Sequence, residues 1–149
     1  MYPGFIHLHS ALKWVALILL IWGILKFYSG WKNHRAFKAG DKKAALCGLI
    51  TLHLQLIIGF ILYFTGKWPN SLGMEGAMKN PVTRFFGMEH LLLMILGIAA
   101  VTIGYSKAKR IADSTVRFRT LFIWYAAGLV LILVGIPWPF REALGKGWF

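Results

Sequence analysis

Four long apolar stretches constrain the fold of this chain more than any other feature of its sequence. They cover residues 5–27, 44–65, 83–106 and 118–138, and each approaches the ~20 residues that a helix needs to cross the hydrocarbon core of a bilayer. Inside that core, backbone polar groups can bond only to one another, so spanning segments of this length are expected to be helical. The sequence therefore predicts an all-α integral membrane protein, with residues 1–149 in a single transmembrane domain.

The amino-acid composition argues against a soluble helical protein. Hydrophobic residues make up 58% of the chain and charged residues 15%, whereas a soluble domain carries about a quarter charged residues. The first stretch is also unlike a cleaved signal peptide. It has no basic segment before it, it contains His7, His9 and Lys13, and no small-residue cleavage site follows it. We therefore expect it to remain as the first span.

The segments between the spans are short, which favours an up-down-up-down four-helix bundle with antiparallel sequential neighbours. Asn80 and Pro81 are typical of a helix start, where Asn caps backbone amides and Pro fits the first turn. Pro137 and Pro139 predict the end of the fourth helix. Small residues in the spans either let helices approach closely or leave room for a flat cofactor. They are Gly23, Gly48, Gly59, Gly97, Gly104, Gly128 and Gly135.

The distribution of basic residues predicts the orientation. Eleven of the seventeen Lys and Arg residues lie in or beside the first and third connections, and short loops rich in these residues stay cytoplasmic. We therefore expect a protein of the bacterial inner (plasma) membrane with both termini and the 66–84 loop extracytoplasmic. The net charge of +12 then reflects topology and contact with anionic lipid. Nucleic acid is not expected as a partner, because it would require a soluble basic face with stacking aromatics.

Several ionisable side chains lie inside the apolar stretches or at their ends. A charged group at the bilayer centre costs about 2.5–3.5 kcal/mol or more, so such residues are usually paired or liganded. Three spans each contribute at least one imidazole, which predicts a shared functional site. The residues are His7, His9, Lys13, His53, Glu89 and His90.

Depth along the helices restricts which histidines can meet. At a rise of about 1.5 Å per residue, His9 lies roughly 9 Å below the outer end of its helix and His90 roughly 13 Å. His53 lies roughly 20 Å down, near the bilayer centre. His9 with His90 is favoured by depth, and His53 with His90 is a second possible pairing if the helices tilt.

Opposed imidazoles in an apolar bundle predict haem b, whose iron takes axial His ligands. The candidate ligands are His9, His53 and His90, with His7 as a further cofactor-binding residue. The haem propionates would require cations near the membrane boundary, since Arg pairs with carboxylates in a bidentate manner. Arg84, Arg141 and Lys79 occupy that boundary.

The chain resembles the small four-span b-type cytochromes, in particular short membrane proteins of Bacteroidota. The resemblance covers nearly the whole chain and rests on four segments. They are His7-x-His9-Ser10 with Trp14, His53-x-Gln55, Glu89-His90, and Pro137-Trp-Pro-Phe-Arg141. It implies haem ligation by helical histidines, at the positions of His9, His53 and His90. The fourth span has no His, so the chain departs from an arrangement with two haems and four axial His within the spans.

The expected function is electron transfer between membrane quinol and an acceptor at the outer face, with quinone and other membrane redox subunits as partners beside the lipid bilayer. Quinol oxidation requires a proton acceptor beside the ring. Glu89 and Lys13 are the candidate catalytic residues for proton movement.

Two alternatives remain open from the sequence. A non-haem iron, zinc or copper enzyme would use His7 or His9 with Glu89, His90 and Glu142, and Met74, Met78 and Met88 are potential copper ligands. A non-catalytic subunit of a larger membrane complex would use the same polar residues as a proton path.

The orientation gives a direct test. A reporter fused after Phe149 should read extracytoplasmic, and one placed in the 32–42 loop should read cytoplasmic, because the basic connections stay inside. The reverse pattern of reporter activity would place the histidines at the cytoplasmic face.

Overall fold

The computed structural model describes residues 3–66, 76, 78–140 and 144. Four long helices run through it: α1 (Pro3–Lys32), α2 (Ala39–Thr65), α3 (Pro81–Ala108) and α4 (Ser114–Gly135). Each helix is long and apolar enough to cross a membrane, and the described residues include no strand. The expected all-α membrane bundle is confirmed.

Two helices end at residues that differ from the predicted limits of their spans. The α1 helix continues past residue 27 to Lys32, because long basic side chains can reach the headgroup region while the helix continues. The α4 helix ends at Gly135, before the predicted limit of 138. The residue that follows, Ile136, is extended with φ −73° and ψ 133°, since a residue before proline avoids helical angles.

The start of α3 has the predicted cap. The Asn80 side chain accepts hydrogen bonds from the amides of Val82 and Thr83, and Pro81 takes the first helical position. The α3 helix contains a π-helical turn at Phe85–Glu89 and returns to α-helix at His90. Such turns are rare and are frequent at functional sites.

The outward faces of the helices are apolar. Ile18, Leu25, Phe64 and Val130 are each more than half exposed, Phe64 by 75%. Exposing such side chains to water costs about 25 cal/mol for each Å² of apolar surface. A bilayer removes this cost, so the surface is suited to lipid on every helix.

The four helices form a ring of neighbours. The α1 helix packs against α2 and α4, and α3 packs most extensively against α4. Of the four neighbouring pairs, α2 and α3 have the least contact. Helix packing in the bundle is therefore weakest between α2 and α3.

One half of the bundle has a tightly packed core. We call this half the basic end, because it adjoins the connections at residues 33–38 and 109–113. Phe27, Phe118 and Tyr125 are fully buried there. The Tyr125 ring lies 5.2 Å from that of Phe27, and its hydroxyl donates a 2.8 Å hydrogen bond to the carbonyl of Ala45. These contacts join α1, α2 and α4.

A buried carboxylate organises the first connection. Asp41 is 1% exposed and accepts two 2.8 Å hydrogen bonds from the Arg35 guanidinium, with the Lys26 ammonium 3.5 Å away. It also accepts a 2.8 Å bond from the backbone amide of Lys38. The hydrogen bond to Asp41 raises the pKa of Arg35 above its ordinary value. The connection is thus held to the start of α2 by charge-assisted bonds.

The sequence left two possible roles open for the glycines, close approach of helices or space for a flat cofactor. The structure distinguishes between these roles. A Cβ on Gly97 would lie 3.0 Å from the carbonyl oxygen of Gly128, and one on Gly128 would lie 2.8 Å from that of Gly97. A Cβ on Gly104 would lie 2.2 Å from that of Trp124. These glycines allow α3 and α4 to approach closely. Gly59 differs, because its neighbour is the His9 ring at 3.4 Å.

Gly128→Ala should destabilise the bundle by about 1–3 kcal/mol, because the added methyl meets backbone that cannot move without separating α3 from α4. Gly40→Ala is the matched control. Its Cβ would meet only the Lys26 ammonium at 3.5 Å, an ordinary van der Waals distance, so we expect little destabilisation. Thermal unfolding in detergent measures the stability of both variants. Equal melting temperatures for the two variants would contradict the close approach.

Candidate functional site

The half of the bundle opposite the basic end is hollow. It encloses a partly open cavity of about 280 Å³, lined by residues of α1, α2 and α3 and by the end of α4. This volume is near the lower end of the range for small-molecule sites, about 300–1,000 Å³. Most of the lining is aliphatic or aromatic. Its polar residues are His9, Ser10, Lys13, Gln55, Tyr63 and His90.

Two histidines from different helices face each other across this cavity. The rings of His9, on α1, and His90, on α3, have centroids 6.4 Å apart and planes inclined by 71°. A metal bound to one nitrogen of each ring at about 2.0–2.1 Å would separate the ring centroids by about 6 Å. The observed separation therefore suits a single metal atom between the two imidazoles.

His90 is oriented by a hydrogen bond to the end of α4. Its Nδ1 donates to the carbonyl oxygen of Gly135 at 2.7 Å. In a continuing helix that carbonyl would accept from residue 139, but Pro139 has no amide hydrogen. Because a carbonyl only accepts, the bond fixes the proton on Nδ1 and leaves Nε2 unprotonated, able to accept a hydrogen bond or to bind a metal. Metal-binding histidines commonly have such a partner.

The π-helical turn lies directly before His90 and is held by aromatic contacts. The Phe85 and Phe86 rings lie 6.0 and 6.2 Å from the His90 ring. Tyr63, on α2, donates a 3.2 Å hydrogen bond to the carbonyl of Gly87 within the turn. This bond joins α2 to α3 at the side of the bundle where the two helices have least contact.

Polar atoms beside His9 are buried without hydrogen-bond partners among the described residues. They are Nδ1 of His9 and Oε1 of Gln55. The Gln55 side chain donates a 2.9 Å hydrogen bond from Nε2 to the backbone carbonyl of His9. This bond fixes the orientation of the side-chain amide, so Oε1 points away from that carbonyl. Each unsatisfied atom costs about 1–3 kcal/mol. Such atoms require an explanation, and a bound ion, water or other group beside them is one.

Lys13 lies one helical turn from His9 and lines the same cavity. Its ammonium lies 5.0 Å from the centroid of the Trp14 ring, a distance typical of a cation–π contact. The cavity therefore combines two imidazoles, an amide and an amine in an apolar surround, as the sequence predicted for His9, Lys13 and His90.

The structure does not bring His53 or His7 into the cavity. Both are exposed, and Nδ1 of His53 lies 2.9 Å from the Leu49 carbonyl of its own helix. His53 and Gln55 are about 200° apart around α2, so when Gln55 faces the cavity His53 faces outward. Of the two possible pairings, the geometry favours His9 with His90.

The charged candidates Glu89, Arg84 and Lys79 do not line the cavity. Glu89 pairs with Arg84 at 2.8 Å, and both side chains are 44% exposed. Lys79 is exposed. Arg141, Glu142 and Met74 lie outside the described residues, and Met78 and Met88 are exposed by 45% and 47%. Within the described ranges, no group of three or more His, Cys, Asp or Glu side chains is placed to hold a metal.

Sequence reasoning did not assign roles to Tyr63, Gly135 or the Gln55 amide. A signal for two of them existed. Gln55, Gly59 and Tyr63 are spaced four residues apart, which places them on one face of α2. The role of Gly135 follows from Pro139 four residues later, because that proline leaves a helical carbonyl without its donor.

Comparison with family models, with curated proteins and with solved structures gave no match. The site is therefore interpreted from its own geometry and chemistry.

Gln55→Leu should stabilise protein prepared without ligand. It removes an interhelical hydrogen bond of about 0.6 kcal/mol together with an unsatisfied carbonyl that costs about 1–3 kcal/mol. Thr51→Val is the control on the same helix, because the Thr51 hydroxyl is satisfied by the Cys47 carbonyl at 2.8 Å. Thermal unfolding compares the melting temperatures of the two variants. A lower melting temperature for Gln55→Leu than for Thr51→Val would show that Oε1 is already satisfied in the ligand-free protein.

Proposed function

We propose that this chain is a membrane cytochrome that binds one haem b between His9 and His90 and carries electrons. The observation that carries the proposal is the 6.4 Å separation of the two imidazole rings inside an apolar cavity. When bound, haem b would supply a one-electron redox centre whose potential depends on axial ligands and burial. Only two protein ligands are required, in agreement with the donors that the cavity provides.

The residues of the chain have distinct tasks in this proposal. His90 would be held in one tautomer by the Gly135 carbonyl, and the hydrogen bond from Gln55 to the His9 backbone carbonyl joins α1 to α2 beside His9. The unsatisfied Nδ1 of His9 supports the presence of a bound metal. The apolar lining would exclude water, which favours a redox centre isolated from solvent.

Cations near the membrane boundary would bind the propionates. Arg84, Lys79 and Arg141 are the residues we propose for this role. Arg84 is paired with Glu89, but an ion pair as exposed as this one contributes only about 0–1 kcal/mol. Its guanidinium also has further donors for a second carboxylate, so pairing with Glu89 does not prevent propionate binding.

We propose quinol as the electron donor and an acceptor at the outer face of the bacterial inner membrane. The basic end would then be cytoplasmic. Quinols dissolve in lipid, and α2 and α3 have the least contact of the neighbouring helices. Both facts support entry of quinol from the bilayer between α2 and α3. Glu89 is the last residue of the π-helical turn and its side chain is 44% exposed, which supports a role as the proton acceptor for quinol. Lys13 would extend the proton path inside the cavity.

Absorption spectra of the purified protein test the ligand assignment. His9→Ala and His90→Ala should each abolish the spectrum of low-spin haem, because each removes one axial nitrogen. His53→Ala is the matched control within a span and should retain that spectrum. His34→Ala, in the first connection, should also retain it.

Two results would contradict the proposal. Loss of the spectrum in His53→Ala with retention in His9→Ala would transfer the ligand role to His53. A colourless wild-type protein that remains colourless after haem is added would exclude haem at this site.

A further inference from the structure

A second cavity lies at the basic end of the bundle, far from the two histidines. It has a volume of about 130 Å³ and is formed by the first connection, the first turn of α2, the last turn of α3 and the beginning of α4. Three cationic residues line it, Lys42, Lys109 and Arg117, each from a different helix or helix end. Phe37 and Tyr105 contribute aromatic walls.

The local charge is strongly positive and uncompensated. No carboxylate lines this cavity among the described residues. The two acidic side chains of this end have other partners. Asp41 is bound by Arg35 at 2.8 Å, and Asp113 caps α4 by accepting a 2.7 Å bond from the Val116 amide.

Arg117 is held in place before any ligand arrives. Its Nε donates a 2.7 Å hydrogen bond to the carbonyl of Ile111, and its Nη2 bonds to the same oxygen. Its guanidinium carbon lies 4.8 Å from the centroid of the Phe37 ring. Guanidinium has five N–H donors, so these contacts leave the donors of Nη1 for an anion. A positioned guanidinium is well suited to phosphate.

We propose that this cavity binds a phosphate group, supplied by the headgroup of an anionic phospholipid. The cavity lies at helix ends, which is the level of the headgroups, and basic pockets between transmembrane helices at that level recognise anionic lipids. Leu121 and Ala45 form its apolar side, which suits the start of an acyl chain. Basic loops that serve only orientation do not require cations to converge on a cavity. This site is independent of haem binding.

Titration of the detergent-purified full chain with short-chain phosphatidylglycerol tests the proposal, with the melting temperature as readout. We expect a saturable increase. Lys42→Gln with Lys109→Gln should weaken the apparent affinity roughly fivefold for each cation removed. The control is Lys43→Gln with Arg110→Gln. It removes the same charge from neighbouring exposed positions that do not line the cavity, and it should change affinity less than twofold.

Further arms identify the source of the phosphate. Short-chain phosphatidylcholine has no net charge and should give no saturable increase. Inorganic phosphate at matched ionic strength should also give none if the ligand is a lipid, and a saturable increase with phosphate alone would assign the site to a soluble phosphate. Lys42→Arg with Lys109→Arg should retain the affinity, which guards against misfolding of the Gln variant. Absence of saturation with both anions, or equal weakening in the Gln variant and its control, would overturn the proposal.

Discussion

The hydrogen bond between His90 and the Gly135 carbonyl is the interaction on which the site depends. Pro139 removes the amide that would otherwise satisfy this carbonyl, and at membrane depth an unsatisfied carbonyl costs several kcal/mol. The imidazole Nδ1 takes that place at 2.7 Å. One contact therefore satisfies the last carbonyl of α4 and joins α4 to α3 through His90, whose ring lines the same cavity as His9.

Close packing and the proposed haem site lie in opposite halves of the bundle. At the basic end, Tyr125, Phe27 and the Asp41 cluster close the interior with aromatic packing and charge-assisted bonds. The close approach at Gly97 and Gly128 continues this packing between α3 and α4. The opposite half can then remain hollow and retain unsatisfied polar atoms, because the rest of the bundle offsets their cost.

The sequence predicted the spans, the Asn80 cap and the level of the histidines, since length and composition control these features. It did not predict that His53 faces outward. A soluble helix reveals its buried face by an apolar stripe, but here lipid-facing and core-facing residues are equally apolar, as Ile57 and Leu52 illustrate on α2. Depth could therefore be read from the chain, whereas rotation about the helix axis required tertiary contacts.

The positions of the glycines explain why α2 and α3 have little contact. The glycines that meet opposing backbone, Gly97 and Gly128, belong to α3 and α4, so these two helices pack most closely. On its other side α3 is joined to α2 by the bond from the Tyr63 hydroxyl to the Gly87 carbonyl. A single hydrogen bond in a membrane contributes about 0.6 kcal/mol on average. Local separation of α2 from α3 is thus less costly than separation of α3 from α4. Both α2 and α3 line the cavity, so this side is where we expect a lipid-soluble molecule to approach His9 and His90.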